Sequence, residues 1–217
     1  MRRLAASMCM LILVLIASSC DWLLPGIDPA PNPNPTPGAT LFFDDFDGGT
    51  DSAWQFASGS WESLGGWLHL SNTHWGDDVF AYIEGGAGWD DYRIEADVEF
   101  GTWEGSKYQG FVLRAQDDLN KVVGWASADR FLFAVFADGE IVRTGGEVEP
   151  GWPSEGVVSA AIEVQGETYS FYVNGILRST FTDNTYSQGK PGLAYRSARG
   201  GNYEGFRFDN CRVTALD

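Results

Sequence analysis

Short apolar segments with the periodicity of β-strands recur from Leu41 to the end of the chain, and they constrain the fold more than any other sequence feature. Gly, Asp and Asn residues typical of turns separate them, and no segment carries the period of an amphipathic helix. About a dozen strands without crossover helices predict antiparallel pairing, so we expect an all-β, antiparallel two-sheet jelly-roll sandwich. The predicted strands are 41–46, 66–70, 78–83, 92–100, 108–115, 121–127, 131–137, 140–144, 157–164, the two strands of 168–181, 192–196 and 203–215.

The segment 168–181 predicts a β-hairpin, because an Asn-Gly dipeptide separates two alternating strands. A two-residue turn would place Phe171 opposite Arg178 and mix apolar and charged side chains on one face. A three-residue loop with Gly175 in a left-handed bulge position places Phe171 opposite Leu177, and we expect that register. It directs three aromatic side chains to the core face: Tyr169, Phe171 and Phe181.

The first twenty residues have the features of an export signal. Arg2 and Arg3 precede an apolar run, 8–17, that is too short to span a bilayer permanently. The small residues before Cys20 resemble the lipobox of bacterial lipoproteins, in which the cysteine becomes the lipidated first residue. Ordinary secretory cleavage near the same point is the alternative. We expect a signal peptide over 1–19, lipidation of Cys20, a lipid bilayer as one partner, and a membrane-anchored location in the bacterial cell envelope, facing the periplasm or the exterior.

The rest of the chain divides into a spacer and one domain. Residues 20–40 carry proline at alternate positions, which favours an extended polyproline II conformation without a packed core. Residues 41–217 form the predicted domain. Its single cysteine, Cys211, lies in an apolar strand and is expected to be a buried structural thiol. The formal net charge of −16 argues against nucleic acid as a partner.

Characteristic turn and core motifs recur along the domain. They are Phe43-Asp-Asp-Phe-Asp, Gly59-Ser-Trp61, Gly66-Trp-Leu68, Tyr92-Arg-Ile-Glu-Ala-Asp-Val, Gly110-Phe-Val-Leu-Arg-Ala-Gln-Asp117, Tyr169-Ser-Phe-Tyr-Val-Asn-Gly175, Gly189-Lys-Pro-Gly-Leu-Ala194 and Phe208-Asp-Asn210. This succession resembles the concanavalin A-like lectin/glucanase superfamily, specifically bacterial laminin-G-like jelly-roll domains. The resemblance implies a function related to carbohydrates, as in carbohydrate-binding modules or 3-keto-disaccharide hydrolase-like domains. The latter usually carry Asn-Ser-Gly before the arginine strand, where this chain has Tyr108-Gln-Gly110.

Glu95, Asp97 and Glu99 are the sharpest enzymatic signal. Their spacing resembles the Glu-x-Asp-x-Glu signature of family 16 glycoside hydrolases, which implies that Glu95 is the nucleophile, Asp97 a supporting carboxylate and Glu99 the acid/base. The period of two places all three on one face of a strand. The alternative is that they form the solvent face of a strand whose other residues face the core.

Aromatic and arginine side chains are the signal for sugar binding. A sugar ring offers an apolar C–H face and polar edges, so aromatic platforms beside polar groups fit it well. Arg114, Trp125 and Arg196 lie within strands, and we expect them on the open face of one sheet. Loop anchoring by tryptophan and ion pairing by arginine are the alternatives. The residues expected to bind carbohydrate are Trp75, Trp103, Tyr108, Arg114, Trp125, Trp152 and Arg196.

Acidic residues near both ends of the domain suggest a cation site. Asp44, Asp45 and Asp47 would meet Asp209 if the first and last strands pair, and several oxygen ligands together suit Ca²⁺. We name Asp45 and Asp209 as ligands of a structural Ca²⁺. Turn formation by these aspartates is the alternative.

Three functions are compatible with these observations. We expect a lipid-anchored, cell-envelope carbohydrate-binding jelly-roll domain with a polysaccharide or glycan as its partner. The first alternative is a glycoside hydrolase that uses Glu95 and Glu99. The second is a structural or adhesion lipoprotein that binds protein.

Overall fold

The computed structural model describes residues 36–71, 78–100, 107–127, 130–148, 156–197 and 207–217. Within these ranges the chain has fifteen β-strands and one short 3₁₀ turn, Glu84–Gly86. The strands are β1 (Thr40–Asp44), β2 (Trp54–Phe56), β3 (Ser60–Leu64), β4 (Trp67–Ser71), β5 (Asp78–Ile83), β6 (Tyr92–Phe100), β7 (Lys107–Ala115), β8 (Lys121–Ala126), β9 (Phe131–Ala137), β10 (Glu140–Val148), β11 (Gly156–Gln165), β12 (Thr168–Val173), β13 (Ile176–Thr182), β14 (Lys190–Ser197) and β15 (Arg207–Ala215).

The strands form two antiparallel sheets. The eight-stranded sheet has the order β13-β12-β11-β6-β15-β4-β3, and β1 pairs with β15 on the same edge as β4. The seven-stranded sheet has the order β10-β9-β8-β7-β14-β5-β2. This arrangement confirms the predicted all-β, two-sheet sandwich. Strands β2 and β3 are not among the predicted segments, because each is short and its apolar residues are interrupted by polar ones.

The core between the sheets is built from alternate residues of each strand. Between Tyr92 and Glu99 on β6, the odd-numbered positions are charged and half-buried, whereas the even-numbered ones are buried in the core. Aromatic rings from both sheets meet there, with the Phe131 and Phe171 centroids 5.1 Å apart and the Phe133 and Phe181 rings stacked at 5.6 Å. The buried side of β6 consists of Tyr92, Ile94, Ala96 and Val98.

Strands β12 and β13 form the predicted hairpin, but in a different register. Both residues of Asn174-Gly175 have positive φ, 50° and 74°, so the turn contains two residues. The predicted pairing of Phe171 with Leu177 is wrong, and Phe171 pairs instead with Ser179. A bulge at Arg178 inserts the extra residue, which the predicted three-residue loop would place in the turn. The bulge keeps the remaining two aromatic residues in the core, as expected: Tyr169 and Phe181.

Candidate functional site

The seven-stranded sheet carries a second apolar cluster on the face turned away from the core. Strands β5, β7, β8, β9 and β14 all contribute residues to it as well as to the core, so these strands are apolar on both faces. Tyr108 and Leu132, both half-buried, pack at its margin. Its buried members are Phe80, Tyr82, Val112, Ala115, Val123, Trp125, Ala134, Phe136 and Ala194. We call this surface the aromatic face.

Strand register brings three of the predicted sugar-binding residues together at one end of the aromatic face. Arg196 on β14 lies opposite Tyr108 on β7, and the next strand, β8, supplies Trp125. The Tyr108 and Trp125 ring centroids are 6.3 Å apart. The guanidinium carbon of Arg196 lies 5.4 Å from the Trp125 ring centroid, and its Nε lies 3.4 Å from Oδ1 of Asp78. The result is a compact group of two aromatic rings, one cation and one carboxylate.

Trp125 forms the floor of this group. Trp125 is 1% exposed, and its Nε1 is buried with no hydrogen-bond partner among the residues that the structure describes. A buried donor without an acceptor costs about 1–3 kcal/mol and is uncommon in native structures. Tyr108 and Arg196 are only half-buried and form the accessible rim. Contacts of a ligand with this group would therefore be made by Tyr108 and Arg196.

A buried lysine, which sequence reasoning missed, lies further along the same face. Lys121, Val123 and Trp125 occupy alternate positions of β8 and therefore share one side of the strand. This spacing is the feature of the sequence that could have placed Lys121 beside Trp125. Its Nζ lies 4.1 Å from the Phe80 ring centroid and donates a hydrogen bond to the Asp118 carbonyl. Burial lowers the pKa of Lys121, although nearby carboxylates oppose the shift. Its close contacts indicate that it holds the loop between β7 and β8 against the aromatic face.

Arg114 lies elsewhere, and the expectation that it belongs to an open sheet face is wrong. Its backbone has a φ of 48°, which breaks the alternation of β7 and turns the side chain into the buried end of the sandwich. The guanidinium donates to the carbonyls of Asp90 and Tyr186, both at 3.0 Å, and lies over the Tyr169 ring at 5.5 Å. These contacts tie two loops together, which is a structural role.

Glu95, Asp97 and Glu99 lie on the outer face of the eight-stranded sheet, opposite the aromatic face. They share one side of β6, as predicted, and alternate with core residues. A depression of about 230 Å³ adjoins Glu95 and Asp97. Each carboxylate has a partner: Arg93 donates to Glu95 at 2.9 Å, Asn210 to Asp97 at 3.0 Å, and Arg207 to Glu99. The arrangement matches an ion-paired solvent face, and catalysis by these residues stays a prediction.

The first and last strands pair, as the calcium hypothesis requires, with Asp44 opposite Cys211. Burial raises the pKa of Asp209, and the charges of Asp97, Asp47 and Asp45 add to that effect. In the described ranges, no group of three or more His, Cys, Asp or Glu side chains is placed to hold a metal ion. A structural Ca²⁺ at Asp45 and Asp209 therefore stays a prediction.

Four of the predicted functional residues lie outside the described residues: Trp75, Trp103, Trp152 and Cys20. The membrane anchor is likewise a prediction from the sequence. Among the residues that the structure does describe, no helix has the length and apolar character needed to cross a membrane.

The described domain is thus a jelly-roll β-sandwich with an aromatic cluster on one outer face, and solved structures share its fold. CBM66, a carbohydrate-binding module from Bacillus subtilis, is similar with a TM-score of 0.62 and 18% identity, over 75% of this chain and 96% of that one. A B. subtilis protein of unknown function with a galectin-like fold has a TM-score of 0.62 and 13% identity, over 83% and 99%. The Bacteroides ovatus xyloglucan PUL protein GH43B has a TM-score of 0.61 and 20% identity, over 80% of this chain and 39% of GH43B.

Comparisons of sequence are less informative. No protein-family model matches the chain, and no curated protein matches it. At these low identities, the structural similarities establish the fold alone, and function has to be argued from the site.

Proposed function

We propose that this chain is a carbohydrate-binding domain whose binding site is the rim of the aromatic face, around Tyr108, Trp125 and Arg196. The observation that carries the proposal is the convergence of the half-buried Tyr108 and Arg196 side chains over the Trp125 ring. Carbohydrate ligands combine apolar C–H faces with many hydroxyl oxygens, so they match a site with both aromatic and polar groups.

Each residue has a specific part in this proposal. The half-buried Tyr108 ring packs against the C–H face of a sugar. Arg196, whose guanidinium carbon lies 5.4 Å from the Trp125 ring centroid, donates hydrogen bonds to sugar oxygens, and Asp78 accepts from hydroxyl groups. The fold shared with a carbohydrate-binding module supports the proposal, since that fold is compatible with sugar binding.

The test is a glycan array followed by affinity electrophoresis with the polysaccharides that bind. We expect Tyr108→Ala to weaken binding about tenfold or more, since a stacked aromatic anchor typically contributes over 1 kcal/mol. The matched control is Tyr172→Ala, which removes a half-buried tyrosine stacked with Arg93 at 5.3 Å on the opposite sheet. Equal losses in both variants, or no binding by the wild-type protein, would overturn the proposal.

We also propose that the domain is anchored in the bacterial cell envelope through a lipid on Cys20, with the proline-rich segment 20–40 as a spacer. The basic start, the short apolar run and the residues before the cysteine support this proposal. Cys20→Ser is expected to abolish incorporation of a labelled fatty acid and to release the protein from the membrane fraction. Unchanged labelling of the variant would refute the anchor.

Sugar cleavage by Glu95 and Glu99 is the second candidate, favoured by their common face on β6. The ion pairs of both residues with arginine side chains fit it less well. Release of reducing sugar from β-glucans and galactans, lost in Glu99→Gln, would support it. Activity that persists in Glu99→Gln would remove these residues from the mechanism.

A further inference from the structure

The charges of the aromatic face define the class of sugar that it accepts. This inference rests on the carbohydrate-binding function proposed above. We propose that the ligand is a neutral glycan with adjacent hydroxyl groups, held by the Asp78–Arg196 pair, and that uronic acids and other anionic sugars are rejected.

The first argument is electrostatic. Arg196, the accessible cation of the described rim, is already paired with Asp78 at 3.4 Å. The second cation, Lys121, is buried, and the carboxylates near it include Asp117 and Asp118 as well as Asp78. The described face therefore carries more carboxylates than cations, in a protein of net charge −16. A carboxylated sugar would enter a region of negative potential.

The second argument is geometric. The side chains of Arg196 and Asp78 are 34% and 24% exposed, so ligand atoms can reach both. A hydroxyl group is at once a donor and an acceptor, and two adjacent hydroxyls can donate to the carboxylate while they accept from the guanidinium. A sugar carboxylate can only accept. It would have to replace Asp78 as the partner of Arg196, which would separate Asp78 from this cation and bring two carboxylates close together.

The substitution Asp78→Asn gives opposite results for the two ligand classes. It keeps the shape of the side chain but removes its charge, and it frees the guanidinium of Arg196. We expect binding of neutral glycans to weaken about tenfold, because a charge-assisted hydrogen bond is lost. Binding of an anionic glycan would strengthen, because the repulsive charge is gone and the arginine is free.

A second variant, Arg196→Lys, keeps the positive charge and loses the planar fork. We expect it to weaken the binding of neutral glycans as well, since a single ammonium cannot bridge two hydroxyl oxygens in the same way. The control is Glu163→Gln on the opposite sheet. Glu163 pairs with Arg93 at 2.8 Å, and the two side chains are 32% and 25% exposed, close to the values of the Asp78–Arg196 pair.

The experiment is affinity electrophoresis of the full chain and its three variants at about 0.15 M salt, where the Debye length is about 8 Å. The gels contain mixed-linkage β-glucan, galactomannan or xylan as neutral polymers, and polygalacturonate or alginate as acidic ones. Thermal unfolding verifies that each variant is folded. Retardation by neutral polymers, weakened in Asp78→Asn and unchanged in Glu163→Gln, supports the inference. Retardation of the wild-type protein by acidic polymers overturns it and leaves the carbohydrate-binding proposal standing, whereas retardation by acidic polymers that appears only in Asp78→Asn supports it. No retardation by any polymer overturns both.

Discussion

Asp44 at the end of β1 holds the start of the domain together through three hydrogen bonds. Its Oδ1 accepts from the backbone N–H of Phe46 at 2.9 Å, and its Oδ2 accepts from the backbone N–H of Asp51 and from Nε1 of Trp54, both at 2.8 Å. The Asp44 and Trp54 side chains are buried. The carboxylate thus joins the turn after β1 to the first residue of β2.

The loss of stability expected on removal of this carboxylate can be estimated from its three hydrogen bonds. A hydrogen bond to a charged group contributes about 1.5–3 kcal/mol, and the Asp51 amide can partly recover its bond from water. We therefore expect Asp44→Ala to lower the free energy of unfolding by about 3–6 kcal/mol, which corresponds to roughly 6–24 °C in Tm for a domain of this size. Asp44→Asn keeps one carbonyl acceptor and is expected to cost about 1–3 kcal/mol.

Urea unfolding followed by tryptophan fluorescence measures this loss, provided that the slope with denaturant is unchanged. The control is Asp45→Asn, because the exposed Asp45 accepts only from the Asp47 amide at 3.2 Å among the contacts that the structure describes. A double-mutant cycle with Trp54→Phe isolates the indole bond. A loss below about 1 kcal/mol in Asp44→Ala would refute the reasoning. A separate measurement tests the predicted Ca²⁺ site at Asp45 and Asp209: a chelator that lowers the Tm of the wild-type protein would support it.

Three further predictions concern stability. Arg114→Lys is expected to lower the free energy of unfolding by about 2–4 kcal/mol in urea, because one ammonium cannot reach the carbonyls that the guanidinium joins; a change below about 0.5 kcal/mol would contradict its structural role. Gly192→Ala is expected to prevent accumulation of folded protein, since the new Cβ would lie 1.9 Å from the Ala81 carbonyl oxygen. The control is Gly85→Ala, which should match the wild type in a thermal melt, because no described atom beyond the adjacent residues lies within 4 Å of its new Cβ. Burial raises the pKa of the Cys211 thiol above its ordinary 9.0, so the unfolded chain loses this proton first and stability falls above pH 9, by up to about 1.4 kcal/mol per pH unit. Between pH 9 and 10, the free energy of unfolding should therefore fall less steeply with pH in Cys211→Ala than in the wild type. Identical slopes for the two proteins would contradict this prediction.

The alternation of apolar and polar residues along the sequence was sufficient to predict the class of fold and which side of a regular strand faces the core. The alternation of β6 correctly predicted which side chains from Tyr92 to Glu99 are buried, because successive residues of a strand point to opposite faces wherever the strand is regular. The same rule failed at Arg114 and in the second strand of the hairpin at Arg178. Both positions interrupt regular alternation, Arg114 by a positive φ and Arg178 by a bulge, and a periodic pattern contains no mark of either.

The candidate site shows the same division. By itself, the sequence determined that the chain forms a two-sheet sandwich, that Tyr108, Trp125 and Arg196 are compatible with sugar contacts, and that acids outnumber bases. Only the tertiary structure decided that these three residues meet, that Asp78 pairs with the arginine, and that Glu95 and Glu99 lie on the other sheet. The physical reason is that pairing between β5, β14, β7 and β8 depends on long-range hydrogen bonds and core packing, which bring together residues far apart along the chain.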